Sequence, residues 1–309
     1  MHRYTAYGLD IASDLELPEL VAADASREEA DVRIRLGSTP ERLEDPVESR
    51  IVWSARPGEW LQTIDGVARY YIHDEGRELV IERLGGSDAD VRAFFFATTV
   101  AALLHQRGQF VLHACAVQVP DEGAVVIAGP AGAGKSTTLT ALTERGCRVL
   151  SEDKTVVRFG AEGPEVLSGY PTLCLWRDAA QRIGADPSTL PPLREGIEKY
   201  LYRTPDFQHE PAPLRALVAL NAKPGADGDV KADEITAHQA IRTVLRQTYR
   251  RRIVNGLGFQ AQQFQWAAQL VNAVPVIRVV RPRFRDTLGE IADIVEAAAR
   301  TPAETPEAA

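Results

Sequence analysis

Between residues 124 and 153 the chain reads AVVIAGPAGAGKSTTLTALTERGCRVLSED, and one run inside it restricts the possible folds more than any other. An apolar segment, residues 124–128, leads into Gly129-Pro-Ala-Gly-Ala-Gly-Lys135-Ser136, which fits the pattern G-x-x-x-x-G-K-[ST]. A helical segment follows over residues 136–145. A strand that runs into glycines and re-emerges as a helix turns backbone N–H groups inward, where they cradle a phosphate. Gly129, Gly132 and Gly134 permit the close approach, and Ala131, Ala133 and Thr137 complete the candidate binding stretch. The Lys135 ammonium can reach β- and γ-phosphates, and the Ser136 hydroxyl can hold Mg²⁺. The helix N-terminus adds favourable potential for an anion. The expected ligands are therefore ATP and Mg²⁺, bound over residues 129–137.

Composition narrows the class. A chain of 309 residues, 45% hydrophobic and 25% charged, is long enough for one large globular domain or two ordinary ones. A net charge of −8 without a long basic block argues against a nucleic-acid partner. The three cysteines, Cys115, Cys147 and Cys174, form no C-x-x-C pair, so neither a disulfide framework nor a zinc site is indicated. The opening MHRYTAYGLD has no apolar h-region and no stretch is apolar enough to span a bilayer, so the expectation is a cytoplasmic enzyme without a membrane partner.

Residues 1–88 read as a β-rich N-terminal module. Residues 3–9 and 31–36 alternate polar and apolar side chains, and further strands are expected at 50–55, 59–64, 68–73 and 78–83. Asp65-Gly66 and Glu75-Gly76 are turn signals. Gly85-Gly86-Ser87-Asp88 breaks the pattern and can cap a helix over residues 89–106, rich in Phe94, Phe95, Phe96, Leu103 and Leu104, with Gly108 at its stop. This helix is expected to join the two halves, within a second domain that spans residues 89–300 and leaves 301–309 as a disordered tail.

Residues 109–119 read as a strand, and residues 120–123 as the turn into the glycine-loop strand. An antiparallel hairpin about that turn puts His113 opposite Gly129, beside the loop. A core histidine is the plainer reading of the same position. After the helix, residues 146–150 form a short strand with Ser151-Glu152-Asp153 at its end. In a doubly wound sheet, successive parallel strands end along the edge that carries the loop. Adjacent carboxylates there can divide the work, one holding Mg²⁺ and one accepting a proton from an attacking hydroxyl. A solvated turn is the alternative.

Farther on, residues 169–176 are apolar and expected to pack under the site, while 198–203, with Lys199 and Arg203, suit either a phosphate contact or a surface strand. Residues 214–221 and 274–280 read as strands, 237–250, 259–273 and 286–299 as helices, and 223–228 as a loop.

Val111-Leu-His113-Ala-Cys-Ala-Val, the glycine loop and Arg148-Val-Leu-Ser-Glu152-Asp153 resemble the core of HPr kinase/phosphorylase. The resemblance implies an α/β fold with a P-loop HPr kinase-like core behind the β-rich N-terminal module. It implies Glu152 as general base, Asp153 as Mg²⁺ ligand and His113 as a support to the base or the phosphates. Glu152 stands where HPr kinases usually carry Asp. Tyr7-Gly8-Leu9, Leu15-Glu-Leu-Pro18, Leu104-His-Gln-Arg-Gly108, Gly169-Tyr-Pro171 and Glu198-Lys199 are similar to a subgroup encoded beside peptide-modifying enzymes, including lasso-peptide clusters. That similarity implies ATP-dependent phosphorylation of a Ser hydroxyl on a peptide, with Glu152, His113 and Lys135 as the catalytic set. The rival acceptors are HPr and a free hydroxyl such as that of serine. The rival class is an ATP-binding regulator that transfers nothing. Self-association is left open.

Overall fold

The computed structural model describes residues 1–24, 29–223, 228–283 and 285–300, as a mixed α/β chain with two large sheets. The chain divides into two compact units: residues 1–111, 172–203 and 250–261 form the first, and 112–171, 204–249 and 262–309 the second. The expected loop centre at 224–227 and the expected tail at 301–309 lie outside the described residues.

The first unit opens with β1 (His2–Ala6), β2 (Leu9–Ser13), β3 (Val21–Ala22), β4 (Val32–Leu36), β5 (Glu48–Ser49), β6 (Trp53–Arg56), β7 (Glu59–Ile64), β8 (Ala68–His73) and β9 (Glu78–Arg83). They form one nine-stranded sheet in the order β3-β1-β2-β4-β9-β8-β7-β6-β5. Residues 3–9, expected as a single strand, fold instead as a hairpin. Tyr7 and Gly8 both take positive φ, 56° and 71°, and turn β1 back onto β2. Strand β8 alternates buried and half-buried side chains along its whole length, as a strand with one face in the core must.

The apolar stretch after β9 is α1 (Asp88–Phe94), a π-helical turn (Phe95–Thr99) and α2 (Val100–Gln106). Ser87 and Asp90 close a reciprocal capping box at its start. The buried Tyr70 hydroxyl donates to Val91 O at 2.8 Å, and Phe95 is 2% exposed. These apolar faces bury against the first sheet, so the expected joining helix belongs to the first unit, and the division does not fall at residue 88.

The second unit carries β10 (Phe110–Val119), β11 (Gly123–Ala128), α3 (Lys135–Thr143), β12 (Arg148–Ser151), β13 (Lys154–Gly160) and β14 (Gly163–Leu167). The chain then adds β15 (Thr172–Trp176), α4 (Arg177–Arg182) and β16 (Lys199–Arg203) to the first unit. Residues 172–176 pair there with 199–203 and are not part of the loop-bearing sheet. Lys199 lies over the Trp176 ring at 4.7 Å within that hairpin, and Arg203 donates to Pro18 O at 3.1 Å.

The remaining elements are β17 (Ala212–Lys223), β18 (Lys231–Ile235), α5 (Ala237–Arg246), α6 (Arg251–Leu257), α7 (Gln260–Ala273), β19 (Val276–Pro282) and α8 (Leu288–Ala299). Strands β11, β17 and β19 run parallel side by side, and α8 packs on β11, β17 and α3. All six residues of β11 are buried, the pattern of a strand covered on both faces.

Candidate active site

The fully buried β11 delivers the chain into the glycine loop, and α3 takes it away. Gly129 has φ 154°, and a Cβ there would lie 2.5 Å from Leu220 O of β17. Only glycine lets the neighbouring parallel strand approach that closely. Gly134, at φ 104°, caps α3 with no side-chain hydrogen bond, so no side chain claims the helix's first N–H groups. Ala131 and Gly132 are exposed, Ala133 is buried, and Lys135, Ser136 and Thr137 are half-buried. Lys135 Nζ donates to Gly129 O at 2.9 Å, folding the ammonium over the loop.

The sheet that carries the acidic pair is mixed and not doubly wound. Strand β12 runs antiparallel to β10, and β10 runs antiparallel to β11. Strands β11 and β12 therefore point the same way on either side of β10, and both end on the same edge. This route brings Glu152 to the loop: Ser136 Oγ donates to Glu152 Oε1 at 3.3 Å. A buried hydroxyl relay holds the turn in place. Thr155 Oγ1 donates to Ala114 O at 2.9 Å, and Ser151 Oγ lies 2.7 Å from Thr155 Oγ1.

Asp153 has different company. Its Oδ2 accepts from Lys154 Nζ at 2.6 Å and from the Tyr249 hydroxyl at 3.0 Å, while Oδ1 faces His113 Nε2 at 3.5 Å. Removal from water would raise this carboxyl. The Lys154 ammonium, with His113 and the Tyr249 hydroxyl, outweighs that and holds it well below the usual carboxylate range. Lys154 is only 2% exposed and sits 4.6 Å from the centre of the Tyr249 ring. His113 meets the same ring edge-on at 5.6 Å. The last paired residues of the β10–β11 hairpin are Ala114 and Ala128, so His113 falls one position beyond, in register with Gly129. Its backbone N–H donates to Gln247 O at 2.6 Å, which ties the segment bearing Tyr249 to β10.

Three residues at this edge escaped the sequence reading: Lys154, Tyr249 and Arg281. Lys154 follows the acidic pair directly, and its adjacency was the available signal. Tyr249 and Arg281 come from far along the chain with no motif around them. Arg281, half-buried at the end of β19, donates from Nε to Ala133 O at 3.0 Å.

Oxygens of Ser136 and Glu152 converge, which suits a hard cation that takes few protein ligands and completes its shell with phosphate and water. Among the described residues there is no cluster of three or more His, Cys, Asp or Glu able to cage a metal alone. The cysteines are all free, and burial pushes the Cys115 thiol up to about 12, too high for a ready nucleophile. Among the described residues no helix is long and apolar enough to cross a membrane.

No family model and no curated protein matches the chain. Among solved structures, the Hpr(Ser) kinase/phosphatase from Coxiella burnetii is similar over 62% of this chain and 93% of that one, at 12% identity and a TM-score of 0.31. A likeness this loose carries no argument about chemistry, which rests on the geometry of the edge itself.

Proposed function

We propose that this chain is an ATP-dependent kinase that transfers the γ-phosphoryl group to a hydroxyl. The observation that carries the reading is one sheet edge. It gathers the glycine loop with Lys135 and Ser136, the Glu152 carboxylate 3.3 Å from Ser136 Oγ, and Asp153 beside His113. Phosphoryl transfer asks little covalent chemistry of a protein; positioning and charge neutralisation supply most of the acceleration. Lys135 and the N–H groups of the loop and α3 bind and orient the phosphates.

Mg²⁺, bound with the nucleotide, neutralises phosphate charge, and Ser136 and Glu152 are the residues that would hold it. Asp153 is held by the Lys154 ammonium and the Tyr249 hydroxyl. The contact between Glu152 and Ser136 Oγ favours an exchange of the two roles implied by the resemblance: Glu152 serves the metal, and Asp153 orients the acceptor hydroxyl and takes its proton. His113, 3.5 Å from Asp153, helps hold that carboxylate and its charge.

For the acceptor we propose a Ser hydroxyl of a short peptide, on the strength of the flanking motifs similar to kinases of peptide-modifying clusters. The test is to incubate the protein with ATP·Mg²⁺ and a Ser-bearing peptide, HPr or free serine, and to read mass shifts and ADP release. The reading expects a gain of one phosphoryl group on the peptide and little on the others. Phosphorylation of HPr or serine alone would remove the peptide assignment. Nucleotide binding without transfer to any acceptor would favour the regulator.

A further inference from the structure

Strand β19 ends on the same edge as β11, because both run parallel to β17, which lies between them. Arg281 pairs with Ala222 of β17 and is the last residue before Pro282 closes the strand. Its guanidinium reaches back across the sheet edge to the glycine loop. Nε donates to Ala133 O at 3.0 Å, and a Cβ on Gly134 would lie 3.0 Å from Nη2. The cation is thus pressed against the two residues that precede Lys135.

Its pairing is incomplete. Beyond the Nε bond, the guanidinium has only a long contact from Nη1 to Pro282 O at 3.5 Å. Two other arginines of the segment face carboxylates, Arg278 at 3.3 Å from Asp233 and Arg285 at 2.8 Å from Glu290. Among the described residues no carboxylate pairs with Arg281. A half-buried guanidinium anchored by one edge keeps a planar fork of N–H donors, a shape that matches a phosphate and takes up its negative charge.

We infer that Arg281 is a phosphate-binding residue of the nucleotide site, a second cation at the glycine loop on the side opposite the acidic pair. The inference rests on the reading of that loop as a nucleotide site. A side chain at Gly134, already disfavoured by φ 104°, would also have to shift the guanidinium.

The test is calorimetry of a non-hydrolysable ATP analogue with Mg²⁺, of ADP and of adenosine, against wild type, Arg281→Ala, Arg281→Gln and Arg281→Lys, with melting temperatures recorded alongside. Loss of a charge-assisted contact predicts triphosphate binding weaker by about tenfold to a hundredfold in Arg281→Ala and Arg281→Gln. Adenosine affinity stays within about twofold. Arg281→Lys recovers part of the loss because the charge returns without the fork. The salt dependence of triphosphate binding becomes shallower in the neutral variants. A merely structural role would lower all affinities together with the melting temperature and give no recovery in Arg281→Lys; that result overturns the inference. Equal triphosphate affinity in a folded Arg281→Gln overturns it too. If wild type binds none of the nucleotides, the reading of the loop itself has failed, which this design separates from failure of the arginine.

Discussion

Lys154 Nζ lies 2.6 Å from Asp153 Oδ2, a nearly fully buried ammonium set against the carboxylate that the Tyr249 hydroxyl also holds. Neighbours in sequence, the two residues form a fixed ion pair at the edge where a phosphoryl group would be transferred.

The two carboxylates should fail differently. Glu152→Gln removes a charged oxygen near Ser136 Oγ and should weaken Mg²⁺-dependent nucleotide binding by about tenfold or more. Asp153→Asn should leave that affinity within a few-fold and lower turnover by on the order of a hundredfold, since an amide cannot accept the hydroxyl proton. Calorimetry with and without Mg²⁺, beside single-turnover kinetics, distinguishes them. The opposite pattern would return Asp153 to the metal and Glu152 to the proton.

Asp153 also predicts an acid dependence of stability. Its folded carboxyl titrates below the unfolded one, so its contribution is fully present above the unfolded carboxylate pKa, about 4, and is lost as pH falls from there towards the depressed folded value. The carboxylate is 42% exposed, and solvent screening limits the effect to on the order of 1 kcal/mol. Urea unfolding of wild type and Asp153→Asn should show a gap at pH 7 that narrows below pH 4. A gap that is constant with pH would contradict the pairing.

Two glycines of one loop should respond unequally to alanine. At Gly129 the added Cβ would meet Leu220 O at 2.5 Å, in a backbone conformation that side chains rarely adopt, so Gly129→Ala should lose about 2 kcal/mol or more. Gly132 has φ 77° but nothing within 4 Å of its would-be Cβ, so only the backbone term remains, about 1 kcal/mol. Denaturant midpoints check the order; equal losses would mean that the approach of β17 does not set the requirement.

What the sequence made legible was local. The glycine-rich turn between β11 and α3, the helix start after residues 85–87 and the hairpin register of His113 are each written in a few adjacent residues. Topology was harder: residues 146–150 were expected as the next strand of a parallel sheet, and β12 instead pairs antiparallel with β10. No period or turn signal distinguishes the two pairings of so short a strand. Tyr249 meets Asp153 across 96 positions and Arg281 meets Ala133 across 148, so only the folded sheet edge brings them together. Residues 89–108 lie in the first unit, and an apolar helix shows in its sequence that it is buried, not against what.

If residues 129–137 bind a nucleotide polyphosphate, the affinity must depend on the Lys135 ammonium. Lys135→Ala keeps the loop backbone and removes the ammonium that now folds onto Gly129 O. Calorimetry with a non-hydrolysable ATP analogue and Mg²⁺ should show measurable binding to wild type and a loss of about a hundredfold or more in the variant, on the order of two charged hydrogen bonds. Unchanged affinity in a folded Lys135→Ala would contradict the account.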